Sequence, residues 1–361
     1  MAGVKNADLA DLLATTLEDL PKQEFEVEWD SQDYEFCRIY NKDSLRVDGG
    51  TSIVRNVMLD HTGNARYRRL YDTDTPAVGD TQVQITVPWT QLSTDYSWDK
   101  LEIKRNANSS KGFVNLLKSR RIDGLWSLAE LIEDRGWKTP QNASDDLYPY
   151  GVPYYLNQLT AAQIAAGTTS GFAGQTIVYQ DASTGTTCAG IDASTQAKWN
   201  NYAAQYTTVA NDFLAKARRA FIETNFQAPY FITDPAKLRA AKKGCYCNFD
   251  TLVALQELLD DRDDNTAPKD MMGGVLARIG MTVMINSLPV LGIPQLNSDT
   301  SDPFYCIDFK RFIPVVQDGY WMEESEPMYD KSQHTVFTVF LDGSHNNLCT
   351  SRRKVGFVLH K

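Results

Sequence analysis

Basic charge is what this sequence has too little of. Its 36 lysines and arginines face 46 aspartates and glutamates, a formal net charge of −10. Affinity for nucleic-acid phosphates comes from Lys and Arg displacing counterions, so a dedicated DNA- or RNA-recognition surface is disfavoured, while weak contact with packaged nucleic acid stays compatible. No Gly-Lys dipeptide occurs, which excludes a phosphate-cradling Walker loop, and neither G-x-G-x-x-G nor G-x-S-x-G is present. The four histidines (His61, His334, His345 and His360) include no H-x-x-x-H pair, which excludes a metalloprotease helix. Long apolar runs are missing too. The most apolar stretch, 271–294, is interrupted by Arg278, Asn286, Pro289 and several glycines, too broken to span a bilayer. Lys5, Asp8, Asp11, Glu18 and Asp19 break up the first twenty residues, so no secretory signal is read there and a soluble protein made in the cytoplasm is expected.

Six cysteines (Cys37, Cys188, Cys245, Cys247, Cys306 and Cys349) are scattered without a framework and read as reduced thiols. Cys245 and Cys247 form a tight pair, but a structural zinc site wants a second Cys/His pair at ligand spacing and none lies nearby. Asp261, Asp263 and Asn265 match the first three positions of a calcium loop; Thr266 and Met272 stand where the glycine and the bidentate glutamate belong, so a solvated helix end is expected instead. Glu323 and Glu324 beside Trp321 are the best carboxylate pair for a carbohydrate-active hydrolase, set against a solvated turn before Pro327. No catalytic, cofactor-binding or metal-binding residue is assigned, and a non-enzyme is expected.

Leu9, Leu12, Leu13, Leu17 and Leu20 recur at helical spacing, predicting a short amphipathic helix over 6–19 that Pro21 ends. Residues 22–45 mix acids with Phe25, Trp29, Tyr34, Phe36 and Tyr40 without a clear period, which suits an extended arm or an edge strand. Strands are predicted at 51–59, 66–71, 82–87 and 100–104, with turns at 61–64, 72–80 and 93–97. Arg66-Tyr67-Arg68-Arg69 has no apolar face, so such a hairpin is either solvated or completed by a neighbouring molecule. The clearest helix starts at Ser110 and ends near Gly136, with Phe113, Leu116, Leu117, Leu125, Leu128, Leu131 and Ile132 as its stripe and a length of about 39 Å. Lys111, Lys118, Arg120 and Arg121 lie early in it and Glu130, Glu133 and Asp134 late, against the helix dipole; intermolecular pairing is the expected reason.

Residues 138–197 form a long, lightly charged excursion with short strands such as 175–179, a length that points to a binding role. A second helix carries Tyr206, Val209, Ala210, Phe213, Leu214, Ala217, Ala220 and Phe221. A third, capped by Asn248 or Asp250, carries Leu252, Leu255, Leu258 and Leu259. Strands return at 281–286, 304–309, 312–316, 335–341 and 354–359, so the order strands, helices, strands argues for an α+β fold.

Tyr305-Cys306-Ile307-Asp308 with Phe312-Ile313-Pro314-Val315, and the run Trp321 to Met328, resemble strands of tailed-phage major capsid proteins. So do Asn347-Leu348-Cys349-Thr350-Ser351-Arg352-Arg353, Ala189-Gly190-Ile191-Asp192 and Trp199-Asn200-Asn201. The resemblance implies a Hong Kong 97-type capsid fold. Its parts would be an N-terminal arm (1–45), an extended β-loop (46–105), a peripheral domain with the spine helix (106–225), an axial domain (226–305) and return strands of the peripheral domain (306–361). It further implies a virion subunit that assembles with itself into pentamers and hexamers of an icosahedral shell around double-stranded DNA. Portal and scaffolding proteins are expected as partners, assembly is expected in the host cytoplasm, and no membrane is involved. A tail or decoration protein, or a carbohydrate-active hydrolase, are the alternatives.

Overall fold

A computed structural model describes residues 34–60, 64–73, 78–79, 81–105, 110–225, 243–263, 276–279, 282–286, 288–329 and 335–361. The helix expected at 6–19 lies outside them. In chain order the elements begin with α1 (Glu35–Asp43), β1 (Leu45–Val47), β2 (Ser52–Met58), β3 (Gln82–Pro88), β4 (Thr90–Asp99), α2 (Lys100–Arg105) and α3 (Ser110–Gly136). The excursion holds α4 (Val152–Tyr155), α5 (Ala161–Ala165) and the short strands β5 (Ser170–Gly174), β6 (Ile177–Val178), β7 (Thr184–Gly185), β8 (Thr187–Cys188) and β9 (Ile191–Asp192). Then come β10 (Asn201–Gln205), α6 (Asn211–Thr224), β11 (Lys243–Cys247), α7 (Phe249–Asp263), β12 (Leu276–Ile279), β13 (Thr282–Ile285) and β14 (Leu288–Gly292). The chain closes with β15 (Phe304–Asp308), β16 (Phe312–Glu324), β17 (Met328–Tyr329), β18 (Val336–Cys349) and β19 (Gly356–His360).

Two compact units result. One comprises 1–51, 89–136 and 314–346; the other comprises 52–88, 137–313 and 347–361. This division differs from the five expected segments. Pairing of β10 with β19 and of β11 with β15 weaves residues from both sides of position 226 into one sheet, so that boundary falls inside the second unit.

In the first unit α3 lies against a sheet in which β18 pairs with β16, β17 and β4, and β1 pairs parallel with β16. Leu125, Leu128, Ala129 and Ile132 of α3 are buried, whereas Leu131, expected in the stripe, is 42% exposed. Residues 35–43, expected to be an extended arm or edge strand, are helical. Phe36, Ile39 and Tyr40 recur at i, i+3 and i+4, and all three are buried. Tyr34 provides no side-chain cap; the buried Glu133 carboxylate of α3 does so, accepting from Phe36 N at 2.7 Å and placing negative charge at the positive end of α1. The Phe36 ring occupies the space a Cβ on Gly136 would need, 2.5 Å away, so only glycine allows this approach.

Two further expectations fail here for local reasons. Residues 100–104 are helical because Asp99 and Glu102 make a capping box: Leu101 N donates to Asp99 Oδ1 at 2.7 Å, and Asp99 N to Glu102 Oε2 at 3.4 Å. Residues 93–97, read as a turn, are the middle of β4, where Thr90, Leu92, Tyr96 and Trp98 alternate inward.

The second unit is built on a mixed eight-stranded sheet, β12-β13-β14-β11-β15-β19-β10-β5. Residues two apart share a face, so Tyr202 and Ala204, Cys245 and Cys247, Phe304 and Cys306, and Phe357 and Leu359 all join one core cluster. Helix α6 brings Phe213, Leu214, Ala217, Ala220 and Phe221 to that cluster, and α7 brings Leu255 and Leu259. Asn248 is the cap of α7, accepting from Thr251 N at 3.0 Å.

Arg352 is fully buried and has no carboxylate partner among the described residues. Its guanidinium donates to the carbonyl oxygens of Tyr155 (2.9 Å), Trp199 (2.9 Å) and Gly174 (2.9 Å), and to Asn201 Oδ1 (3.0 Å). A Cβ on Gly174 would sit 2.2 Å from Asn201 Oδ1, so this knot also requires a glycine. Removing the cation strands buried acceptors, so Arg352→Met is expected to lower the unfolding free energy of the unassembled subunit by about 3–5 kcal/mol, with Arg352→Lys intermediate because it lacks the planar fork. A urea midpoint unchanged in Arg352→Met would refute this role.

His345 is buried between Tyr40 and Trp321, with ring centroids 5.2 and 5.6 Å away. Burial lowers its pKa from 6.5 to about 4. Below pH 6.5 the unfolded chain therefore takes up a proton that the native chain refuses, and stability falls as the pH drops toward 4. Urea titrations at pH 7 and pH 5 are expected to show wild type losing about 2 kcal/mol more than His345→Phe. Equal losses in the two proteins would assign the acid sensitivity elsewhere.

Candidate functional site

The residues singled out for chemistry do not converge. Glu324 is ion-paired with Arg121 at 2.7 Å while its neighbour Glu323 is exposed, so the two do not face a common substrate position. Cys245 and Cys247 are core thiols, and burial pushes the Cys247 thiol well up. All six cysteines are free and buried, and no cluster of three or more metal-ligating side chains exists among the described residues. Asp261 and Asp263 belong to the last turn of α7; Asn265, Thr266 and Met272 lie outside the described residues. A cleft of about 680 Å³ in the second unit is lined by Trp137, Gln158, Gln180, Gln295, Asp299 and Tyr305, among others. Asp299, the one carboxylate lining it, already accepts from Ser301 N (2.9 Å) and Ser301 Oγ (2.7 Å). No described helix is long and apolar enough to cross a membrane.

The charges sorted along α3 are largely used within the chain. Arg120 donates to Glu102 at 2.8 Å and also to the Ser97 carbonyl, Arg121 pairs with Glu324, and Glu133 caps α1. The expectation that this order serves intermolecular pairing is corrected for those three residues. What the solvent sees of α3 includes Asp123, Trp126, Ser127, Glu130 and Leu131.

The hairpin of β2 and β3 and the segment that follows β2 expose several large apolar side chains. The base of the hairpin is anchored: Ile53, Ile85 and Val87 are buried, and Thr86 N donates to Ala189 O at 3.0 Å. Past the outer end of β2, Lys198 makes an ion pair with Asp60 at 3.1 Å. Beyond that, several apolar side chains are exposed. Met58 is 67% exposed, Leu70 83%, and Tyr67, Tyr71 and Val78 essentially wholly so. Residues 66–71, expected as a strand, have no pairing partner among the described residues and run without regular structure. Adjacent exposed apolar side chains of this kind mark interaction surfaces. The lack of an apolar face at Arg66–Arg69 was legible in the sequence; the exposure of Met58 and Val78 was not, because single apolar residues read as core.

No protein-family model matches the sequence, and no curated protein matches it. Solved structures do. A chain of the Cyanophage A-1(L) capsid asymmetric unit matches with a TM-score of 0.54 at 14% identity, over 89% of this chain and 92% of that one. A chain from Mycobacterium phage Bobi matches with a TM-score of 0.50 at 10% identity, over 91% of this chain and 90% of that one. At such identities the likeness is one of fold, and the fold of this chain is the α+β capsid fold of tailed phages.

Proposed function

We propose that this chain is the major capsid subunit of a tailed phage, a structural component of the virion that assembles with itself into pentamers and hexamers of a closed shell around double-stranded DNA. The observation that carries this reading is the capsid-type fold, which extends over about nine-tenths of both compared chains. The hairpin supports it, since Met58 and, beyond it, Leu70, Tyr71 and Val78 leave apolar surface for other copies to cover. In this reading β2 and β3 are the extended β-loop, α3 is the spine helix, the first unit is the peripheral domain and the second contains the axial domain. Residues before α1 are the arm. The acidic balance suits a shell that contacts DNA weakly and releases it, because a strongly basic lining would hold it. Portal and scaffolding proteins are the further partners this role requires, with assembly in the host cytoplasm. The hydrolase alternative has no support from the placement of Glu323 and Glu324, and the role proposed is not enzymatic.

Negative-stain images of the purified protein are expected to contain closed particles or rings of five and six. A stable monomer with no higher species under any assembly condition would contradict the proposal. Replacing Leu70→Asp together with Tyr71→Ser is expected to leave thermal unfolding unchanged and cut the yield of particles by about tenfold or more, as loss of an apolar contact at an interface does. Normal particle yield from that variant would remove the hairpin from the interface.

A further inference from the structure

Beside β2 lies a hollow of about 330 Å³ lined by Arg55, Asp308, Lys310, Arg311, Ile313 and Thr350. Half of those side chains are cations, in a chain whose net charge is −10. The backbone brings two of them together. Between β15 and β16 the chain reverses in a turn closed by Arg311 N donating to Asp308 O at 2.9 Å, with Lys310 N donating to Asp308 Oδ1 at 3.0 Å. Lys310 and Arg311 are therefore held at the end of a tight turn. Thr350 N donates to Arg311 O at 2.9 Å and pins that turn to the segment after β18. Arg55 comes from β2, two residues along the same side of the strand as the buried Ile53.

The one carboxylate in the lining is already engaged. Asp308 is buried; beside its bond from Lys310 N, its Oδ2 approaches Lys243 Nζ at 3.9 Å. The side chains of Arg55, Lys310 and Arg311 make no hydrogen bond or ion pair among the described residues, and Arg55 and Lys310 are exposed. Like charges gathered around one hollow repel one another, so the arrangement opposes folding slightly unless an anion enters it. The volume selects a small anion. Ligand pockets run from about 300 to 1,000 Å³, and this one stands at the lower end. A phosphate group offers several acceptor oxygens to donors arriving from different directions, and an arginine fork meets two of them at once. A lone carboxylate brings a single charge to three cations.

We propose that this hollow is a phosphate site, with Arg55, Lys310 and Arg311 as its donors. Free phosphate and a DNA backbone offer the same oxygens, and the experiment below separates the two sources. The site itself is independent of the capsid reading; only DNA as its source rests on it. Three cations on an acidic chain give weak, salt-sensitive contact with DNA, unlike a wholly basic lining.

The test uses the full-length, unassembled subunit at fixed pH and ionic strength. Potassium phosphate is expected to raise its thermal midpoint above that in potassium chloride, as a ligand of the native state does. Arg55→Gln with Arg311→Gln is expected to leave the midpoint in chloride unchanged, because neither side chain holds another element, and to weaken phosphate binding in calorimetry by about tenfold or more. Lys216→Gln with Arg218→Gln, on α6, removes the same charge elsewhere and is expected to bind phosphate as the wild type does. An equal loss in both double variants reduces the effect to net charge and overturns the site. So does a wild type that responds alike to phosphate and chloride. A glutamate peptide that competes as well as phosphate would make the hollow a carboxylate site, and the inference would fail. A short DNA duplex identifies the source. Displacement of phosphate by the duplex, with a salt slope that falls by about 1 for each cation removed, supports the site with the DNA backbone as its ligand. Phosphate binding that the duplex leaves untouched supports the site with free phosphate as its ligand. None of these measurements needs particles, so failure of the site and failure of the capsid reading are told apart.

Discussion

The buried guanidinium of Arg352 holds the second unit together at the point on which the hairpin depends. It binds the carbonyl of Trp199. The indole of Trp199 donates to Cys188 O at 3.1 Å, and the next carbonyl, that of Ala189, receives Thr86 N from β3. A cation with no counter-ion is costly to bury, and three carbonyls with one amide oxygen are what make it tolerable here. The ribbon is therefore fixed at its base by a rigid knot. A fixed root with exposed apolar side chains beyond it suits the proposed subunit, whose contacts would be completed by copies of itself.

Charge is used differently in the two units. In the first unit the cations and acids of α3 hold α1, α2 and β16 in place, and a buried carboxylate caps a helix. In the second unit Arg55, Lys310 and Arg311 line a hollow beside β2, and their side chains make no hydrogen bond or ion pair among the described residues. Paired charges of the first kind contribute to stability, whereas exposed charges without such a pair contribute little to it.

Much of the fold was legible in the sequence, and the failures have identifiable causes. The limits of α3, the core face of α6 and the strands that close the chain followed from periodicity. Helix α1 was hidden because its stripe is only Phe36, Ile39 and Tyr40, too short for a helical period to emerge from acidic surroundings. The capping pair Asp99 and Glu102 outweighed the β-like look of 100–104. Ser93, Thr94 and Asp95 between Leu92 and Tyr96 disguised β4 as a turn, although Thr90, Leu92, Tyr96 and Trp98 all face inward. The hairpin's lack of a self-sufficient face was readable from composition, whereas the role of Arg352 was not. A lone arginine carries no sequence sign that backbone carbonyls from three distant segments will surround it.

The most direct test is whether the ribbon is covered when copies come together. Hydroxyl-radical footprinting of Met58, Tyr67 and Tyr71, compared between assembled particles and the same particles after dissociation, measures that cover at the side chains concerned. Strong protection in the particle and full labelling after dissociation are expected; labelling that is equal in both states would contradict the claim that neighbouring copies complete this surface.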